Sequence, residues 1–399
     1  MYPKDIIIVG GGTAGWLTAL YVNHLCIDST VTLIESDKIG ILGAGEGSVP
    51  ILVDLMRKLK ISEDEFIRET KSTFKLGIDF ENWSSPKSKY EHYFLGERYY
   101  SFHFDARLVA DYFKNLGLKR GVKLIEGDIN NFNTNDYGVY SIDLLDGQTI
   151  MCDFVFDCSG FKRLILNGVY PGEWESFSKY LTVNSAIPFF LERNDPELNT
   201  TTRAIAMKHG WMWMIPLQHR WGCGYVYDDK YITQEEAVLE VEEYLGHKIL
   251  NERLIKFNAG CYKEVWKKNT ISIGLSTGFI EPLEATSIMT AVKQLFLLDD
   301  YLLGMDSKKY NESTYEMNEE NMLFIFYHYI CGREDSDFWL YYKNRELIPG
   351  KLHELIDYNL NIKLRLNNEL KKTFKNSFTY TLNSWLVVDK GAKGIKKLL

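Results

Sequence analysis

Apolar residues along this chain come in short β-branched runs and in stretches at helical spacing, and the order of the two sets the expected fold. Asp5-Ile-Ile-Ile-Val9 is a β-branched run that ends in glycines, Gly10-Gly-Gly-Thr-Ala-Gly15. From Trp16 to Leu25 the apolar residues recur at helical spacing, and Val31-Thr-Leu-Ile-Glu35 follows as a second strand. Strand, glycine turn, helix and strand in that order predict the β-α-β opening of a doubly wound parallel sheet, so the fold class is α/β. Ser62 to Lys71 and Asp105 to Leu116 read as helices. Val122 to Ile129, Val139 to Leu145 and Phe154 to Asp157 read as strands, the first ending before an Asn-rich turn, Asn130-Asn-Phe-Asn133. Ile271-Ser-Ile-Gly274 is a further short strand. It leads through Gly278 and Pro282 into an apolar helix from about Ser287 to Leu303, and from Met317 the pattern is mainly helical and aromatic.

No fixed-period repeat, low-complexity tract or Pro/Ser-rich linker divides the chain, so residues 1–399 are expected to form one intertwined unit. A net charge of −8 excludes an overall basic field, and with it nucleic acid or anionic membrane as the partner. The apolar run from Ile6 to Leu20 is too short and too rich in glycine and alanine to span a bilayer, and no signal-peptide pattern precedes it. Cys26, Cys152, Cys158, Cys223, Cys261 and Cys331 form no C-x-x-C pair, which points to a reducing cytoplasm rather than a disulfide or zinc scaffold. The histidines show neither H-x-H nor H-x-x-x-H spacing, so no metal is expected. Lys390, Lys393, Lys396 and Lys397 read as a solvated basic end.

Gly10, Gly12 and Gly15 form G-x-G-x-x-G at the junction of strand and helix, the context in which that weak pattern carries meaning. Gly10 permits the tight turn, Gly12 lets backbone approach a pyrophosphate, and Gly15 lets helix pack on strand, while the helix N-terminus through Thr13 and Ala14 faces the anion. Glu35 ends the second strand where a carboxylate accepts from a ribose diol and repels a 2′-phosphate. Asp153-Phe-Val-Phe-Asp157-Cys-Ser-Gly160 resembles the later FAD-contacting strand of glutathione-reductase-type and hydroxylase-type flavoproteins, which favours FAD over NAD.

Gly210-Trp211-Met-Trp213-Met-Ile215-Pro216 contains W-x-W-x-I-P, which resembles the signature of the flavin-dependent tryptophan-halogenase family. Five further segments resemble that family in the same order: Gly43-Ala44-Gly45-Glu46-Gly-Ser-Val-Pro50 its flavin strap, Phe74-Lys75-Leu-Gly-Ile its lysine segment, then Asp157-Cys-Ser-Gly-Phe161, Gly278-Phe-Ile-Glu-Pro-Leu-Glu284 and Arg333-Glu-Asp-Ser-Asp-Phe338-Trp339. The resemblance spans roughly residues 5 to 342. It implies a Rossmann-like FAD-binding fold with an intertwined, mainly helical substrate portion. The FAD elements fall near 5–50, 150–165 and 270–303, and the substrate portion is drawn from 75–110, 200–230 and 317–399.

What the family does becomes an expectation residue by residue. FAD would be held by Gly10, Gly12, Thr13, Ala14, Gly15, Glu35, Ala44, Gly45, Glu46, Asp157, Gly160, Leu275 and Phe279, and a chloride or bromide ion by the backbone at Thr286 and Ser287. Trp211, Trp213, Ile215 and Pro216 would form a barrier between flavin and substrate; two indoles on one strand face also read as plain core. Lys75 would hold hypohalous acid or become a haloamine, and Glu284 would polarise the halogen donor or take the ring proton. Without the resemblance, Lys75 reads as a snorkelling surface residue and Glu284 as a helix-start carboxylate. His103 reads as a structural histidine. Ala285 stands where the family has serine, a looser grip on the flavin. The chain is shorter than tryptophan-specific members, mainly toward its C-terminal part, which argues against free tryptophan as substrate. The implied partners are a separate flavin reductase and a small indole- or phenol-like aromatic, with a homo-oligomer left open. The rival readings are a single-component FAD/NAD(P)H aromatic hydroxylase, whose family has Asp-Gly where this chain has Asp157-Cys158, and a non-catalytic flavoprotein.

Overall fold

A computed structural model of the chain describes residues 3–38, 40, 46–94, 99–193, 199–250, 253–302, 304, 306–352 and 380–392. The run Asp5–Val9 lies at the centre of a six-stranded sheet, parallel to Phe154–Asp157 on one side and to Thr30–Glu35 on the other. Lys123–Glu126 extends the parallel order beyond Thr30–Glu35, and Thr270–Ser272 extends it beyond Phe154–Asp157; Trp266–Lys267 closes the latter edge antiparallel. Strand alternation explains why four successive apolar residues are needed. Ile6 and Ile8 pack on the helix side with Trp16, Leu20 and Phe113, while Ile7 and Val9 pack on Val139, Ile142 and Leu144 of the other side. All four are at most 3% exposed, and each contributes about 1.5–3 kcal/mol of burial.

The helix side consists of Thr13–Leu25, Ala106–Lys119 and Thr286–Tyr301. The opposite side carries a small antiparallel sheet of Ile129–Asn135, Gly138–Leu144 and Thr149–Met151. Here the expected turn at Asn130–Asn133 is corrected: these residues lie inside a strand. The asparagines stand on an edge where polar side chains find partners, Asn133 donating to Ser141 Oγ and Asp143 Oδ2, so their turn preference gives way to pairing. The long helix also begins earlier than expected, at Ser307 rather than Met317, because its first turns bury only Tyr310, Ser313 and Thr314 and show little apolar signal.

A second, seven-stranded sheet runs in the order Ile255–Lys256, Ser185–Leu191, Trp221–Tyr227, Gly210–Pro216, Thr201–Ala206, Gly77–Glu81 and Lys89–Tyr93. It joins distant parts of the chain, because Thr201–Ala206 pairs parallel with Gly77–Glu81. One face, with Trp211, Trp213 and Ile215, packs against the helix Ser307–Tyr329. The other, with Met212, Met214 and Tyr225, packs against Gln234–Leu245. A three-stranded sheet of Glu46–Gly47, Ser101–Phe104 and Thr73–Lys75 carries the lysine segment. Among the described residues no helix is long and apolar enough to cross a membrane.

Candidate active site

The glycine turn is built as its spacing requires. Gly10 has φ +107°, and a Cβ there would lie 2.5 Å from the Cys158 carbonyl oxygen; at Gly15 it would lie 1.8 Å from the Gly10 oxygen. Gly12 differs: its backbone is extended, and nothing stands within 4 Å of where a Cβ would be. The helix Thr13–Leu25 starts there with no side chain capping it, so its first N–H groups are offered to the open space over Gly12. That open, uncapped cradle fits a pyrophosphate.

Glu35 reaches the same turn. Its Oε1 pairs with Lys114, its Oε2 accepts from Trp16 Nε1 at 3.3 Å, and the absent side chain of Gly11 makes room for it, since a Cβ would lie 1.9 Å from Oε2. Gly11 and Lys114 belong to this corner although the sequence reading left them out. Asp157 is wholly buried and occupied within its own turn: Oδ1 accepts from Ser159 N and Oδ2 from Ile165 N, both at 2.9 Å. Gly160, at φ +63°, has open space beside it. Leu275 lines a cleft with Gly278, Thr286, Ser287, Thr290 and Asn318, and Phe279 packs edge-on to Phe161 and Phe257. Glu46 is carried by the strand beside Ser101–Phe104, and burial, helped by the charge of Asp105, raises its carboxyl to about 7. Ala44 and Gly45 lie outside the described residues.

On the strand Thr73–Lys75 the usual pattern is inverted. Phe74 is 46% exposed and Lys75 only 1%, so the amine is buried rather than snorkelled. It lies 5.8 Å from the centre of the Phe94 ring, and bare Gly47 leaves it room, a Cβ there falling 2.9 Å from Nζ. Burial lowers the amine to about 8, against the opposing pull of the Glu284 charge. His103, also buried, meets Thr202 Oγ1 at 2.9 Å and Thr73 Oγ1 at 3.3 Å; burial first, and then the Lys75 charge, hold it well below its ordinary value. Thr73 donates to the Pro216 carbonyl at 2.6 Å, which ties the lysine strand to the end of W-x-W-x-I-P.

Trp211 and Trp213 stand side by side with ring centres 6.1 Å apart. Trp213 lies over Gly224 of the neighbouring strand, where a Cβ would fall 2.1 Å from the indole. Gly224→Ala is therefore expected to displace Trp213 and to lower stability by about 1–3 kcal/mol, measurable by denaturant unfolding. Trp211 Nε1 points at Glu281 Oε2 at 3.5 Å, and Tyr329 donates to the same oxygen at 2.9 Å. Glu281 was not foreseen; burial raises its carboxyl to about 8.

Three residues on, Glu284 and Ala285 are consecutive left-handed residues, at φ 65° and 57°, and the helix Thr286–Tyr301 follows without a side-chain cap. Thr286 Oγ1 donates back to the Glu281 carbonyl at 3.2 Å. The twist drives Glu284 inward, to 4% exposure, where its Oε1 meets His92 Nδ1 at 2.8 Å and His328 Nε2 at 3.1 Å. Burial alone would raise this carboxyl, but the His92 charge and the bonds from both histidines outweigh it and hold it well below the carboxylate range. Among the described residues no cluster of three or more His, Cys, Asp or Glu is arranged to hold a metal.

A parallel sheet with an uncapped helix over a glycine turn, a small sheet that buries an amine at Lys75 and a turn that buries the Glu284 carboxylate together make a Rossmann-like α/β fold, which the chain shares with flavin-dependent halogenases. The chain belongs to the tryptophan halogenase family, whose model matches residues 5–99 and 94–395. It is similar to a tryptophan 7-halogenase of Lentzea aerocolonigenes, 30% identical over 429 residues, 88% of this chain and 81% of the relative. It is also similar in structure to a flavin-dependent halogenase from Xanthomonas campestris, at 29% identity and a TM-score of 0.88, covering 99% of this chain and 90% of the other. A flavin-dependent halogenase from Brevundimonas sp. gives 26% identity and a TM-score of 0.86 over 98% of this chain and 90% of its own. The protein is thus an oxidoreductase of the flavin-dependent halogenase class.

Proposed function

We propose that the chain acts as one unit that halogenates an indole- or phenol-like aromatic by passing hypohalous acid to Lys75. The observation that carries this reading is the burial of the Lys75 amine within the field of the Glu284 charge. FAD fits the cradle of Gly10, Gly12, Thr13, Ala14 and Gly15, with Glu35, Glu46, Gly160, Leu275 and Phe279 around it, and Asp157 shapes the turn beneath. When bound and reduced by a separate reductase, it would give two electrons to dioxygen, which takes two more from chloride or bromide, so that one oxygen atom ends in hypohalous acid and the other in water. The protein's own residues do the rest. The uncapped N-terminus at Thr286 and Ser287 offers N–H groups to the halide, and Trp211, Trp213, Ile215 and Pro216 keep the substrate from the flavin side.

Lys75 holds the hypohalous acid by hydrogen bond, or as a haloamine, and aims the halogen at one ring carbon. The C–X bond forms as the O–X bond (in the haloamine, the N–X bond) breaks with its electron pair on the atom that held the halogen. The hydroxide released from hypohalous acid takes a proton from the Lys75 ammonium and leaves as water, and that proton is restored from Glu284 after it has taken the ring proton. The ring C–H then breaks, its electrons return to the ring and its proton goes to Glu284, so that hypohalous acid and arene give haloarene and water. The test is product formation from indoles, phenols and anilines with each halide, read by mass. NADH alone is expected to give no turnover, and a flavin reductase plus FAD to start it. Stoichiometric NADH oxidation by the purified protein without reductase would indicate a hydroxylase instead.

A further inference from the structure

Glu284 is gripped by two histidines that belong to no motif in the sequence: His92 on the strand Lys89–Tyr93 and His328 near the end of the helix Ser307–Tyr329. His328 is wholly buried among Phe80, Trp83 and Phe324, and both its nitrogens are engaged. Nδ1 lies 2.8 Å from the Phe324 carbonyl oxygen, one helical turn back. A carbonyl only accepts, so Nδ1 carries a proton. A neutral ring would then turn a bare lone pair from Nε2 toward Oε1 of Glu284, 3.1 Å away, setting two acceptors face to face. The contact therefore needs a second proton between Nε2 and Oε1. Both imidazoles reach the same oxygen, and Oε2 takes no part in either bond.

We propose that His328 is a positioning residue for halogenation: it shares one proton with Glu284, fixing the carboxyl as an oriented carboxylate that presents Oε2 to the substrate ring. This rests on the reading of Glu284 as the acceptor of the ring proton. The other groups that feel the Glu284 charge are Lys75 and the hydroxyls of Tyr90 and Tyr380; burial first, and then that charge, raise both phenols. Neither hydroxyl has a hydrogen-bond partner among the described residues, so neither competes with His328 for the carboxylate. His92 alone holds Oε1 from one side; His328, on a different element, holds the same oxygen from a second direction and so pins it between strand and helix.

Nitrogen-15 NMR of the histidine rings in the full-length resting protein tests the shared proton without turnover. The His328 ring, assigned by the signals lost in His328→Gln, is expected to carry protons on both nitrogens, and to revert to a neutral ring in Glu284→Gln, whose amide can donate to Nε2. A wild-type protein in which the His328 ring holds a single proton would overturn the proposal, whatever the state of His92. In turnover, His328→Gln is expected to slow product formation at least about tenfold, part of the about 10²–10⁴ that a positioned base contributes, and to move the acid limb of the pH profile upward. Added to Glu284→Gln, it should cost nothing further, since it acts only through that carboxyl. Additive losses would mean that His328 merely packs, and would also overturn the proposal. Failure of the reading beneath it shows separately, as a wild-type protein that makes no halogenated product or as Glu284→Gln that makes it at the wild-type rate.

Discussion

Lys75→Ala is expected to bind FAD as tightly as the wild type and to consume reduced flavin at the same rate, while releasing essentially no halogenated product. The lysine lies on the strand Thr73–Lys75, outside the glycine cradle, and although its Nζ abuts Gly47, next to Glu46, truncation to alanine removes a side chain there without adding one, so the cradle at Gly10–Gly15 is untouched. Under the proposed mechanism, what disappears is the group that holds the oxidised halogen, and loss of positioning costs about two orders of magnitude or more. Burial is what equips it. At pH 7 an amine at about 8 is unprotonated in about one molecule in ten, against about one in a few thousand for an exposed lysine. The measurement is halogenated product per flavin oxidised. A wild-type yield from Lys75→Ala would reduce the lysine to a buried structural residue and remove the proposed mechanism.

Gly12→Val is expected to fold normally and to lose FAD. The backbone at Gly12 is extended, so valine meets no conformational penalty, and the first side-chain carbon meets no protein atom. The space it enters is the one a pyrophosphate would fill. Losing two charge-assisted bonds to backbone N–H groups amounts to about 3 kcal/mol, or about a hundredfold in Kd. Equilibrium titration with FAD, beside a thermal melt of the apoprotein, reads both halves. Unchanged affinity would exclude the pyrophosphate assignment, and a collapsed melt would mean that the turn tolerates less than its geometry allows.

The part of the site that was legible in the sequence is the part in which neighbours in the chain are neighbours in space. Strand, glycines, helix and Glu35 follow one another within one β-α-β unit, so spacing alone carried the reading. Lys75 was legible only through family resemblance, because its strand breaks the physical rule: phenylalanine faces solvent and lysine faces the interior. A local rule reversed in this way is what a functional position looks like, but one sequence gives no means of seeing the reversal. His92, Glu281 and His328 left no signal at all. Their partners lie on other elements, and nothing in the spacing of histidines so far apart implies a shared oxygen. The turn at Asn130–Asn133 failed for a different reason, since composition spoke for a turn and pairing with Gly138–Leu144 prevailed.

The parallel pairing of Gly77–Glu81 with Thr201–Ala206 has a consequence for the protein while it is being made. The lysine is translated early, but the strand beside its segment and the Glu284 carboxylate arrive much later. At about 5–20 residues per second, about 10–40 s separate the synthesis of Lys75 from that of Glu284. Until then the lysine lacks both the strand paired beside its segment and the carboxylate whose charge acts on it. A chain that ends before Thr201 is therefore expected to carry a more basic Lys75, and the basicity of this one amine becomes a reporter of whether Thr201–Ala206 has paired.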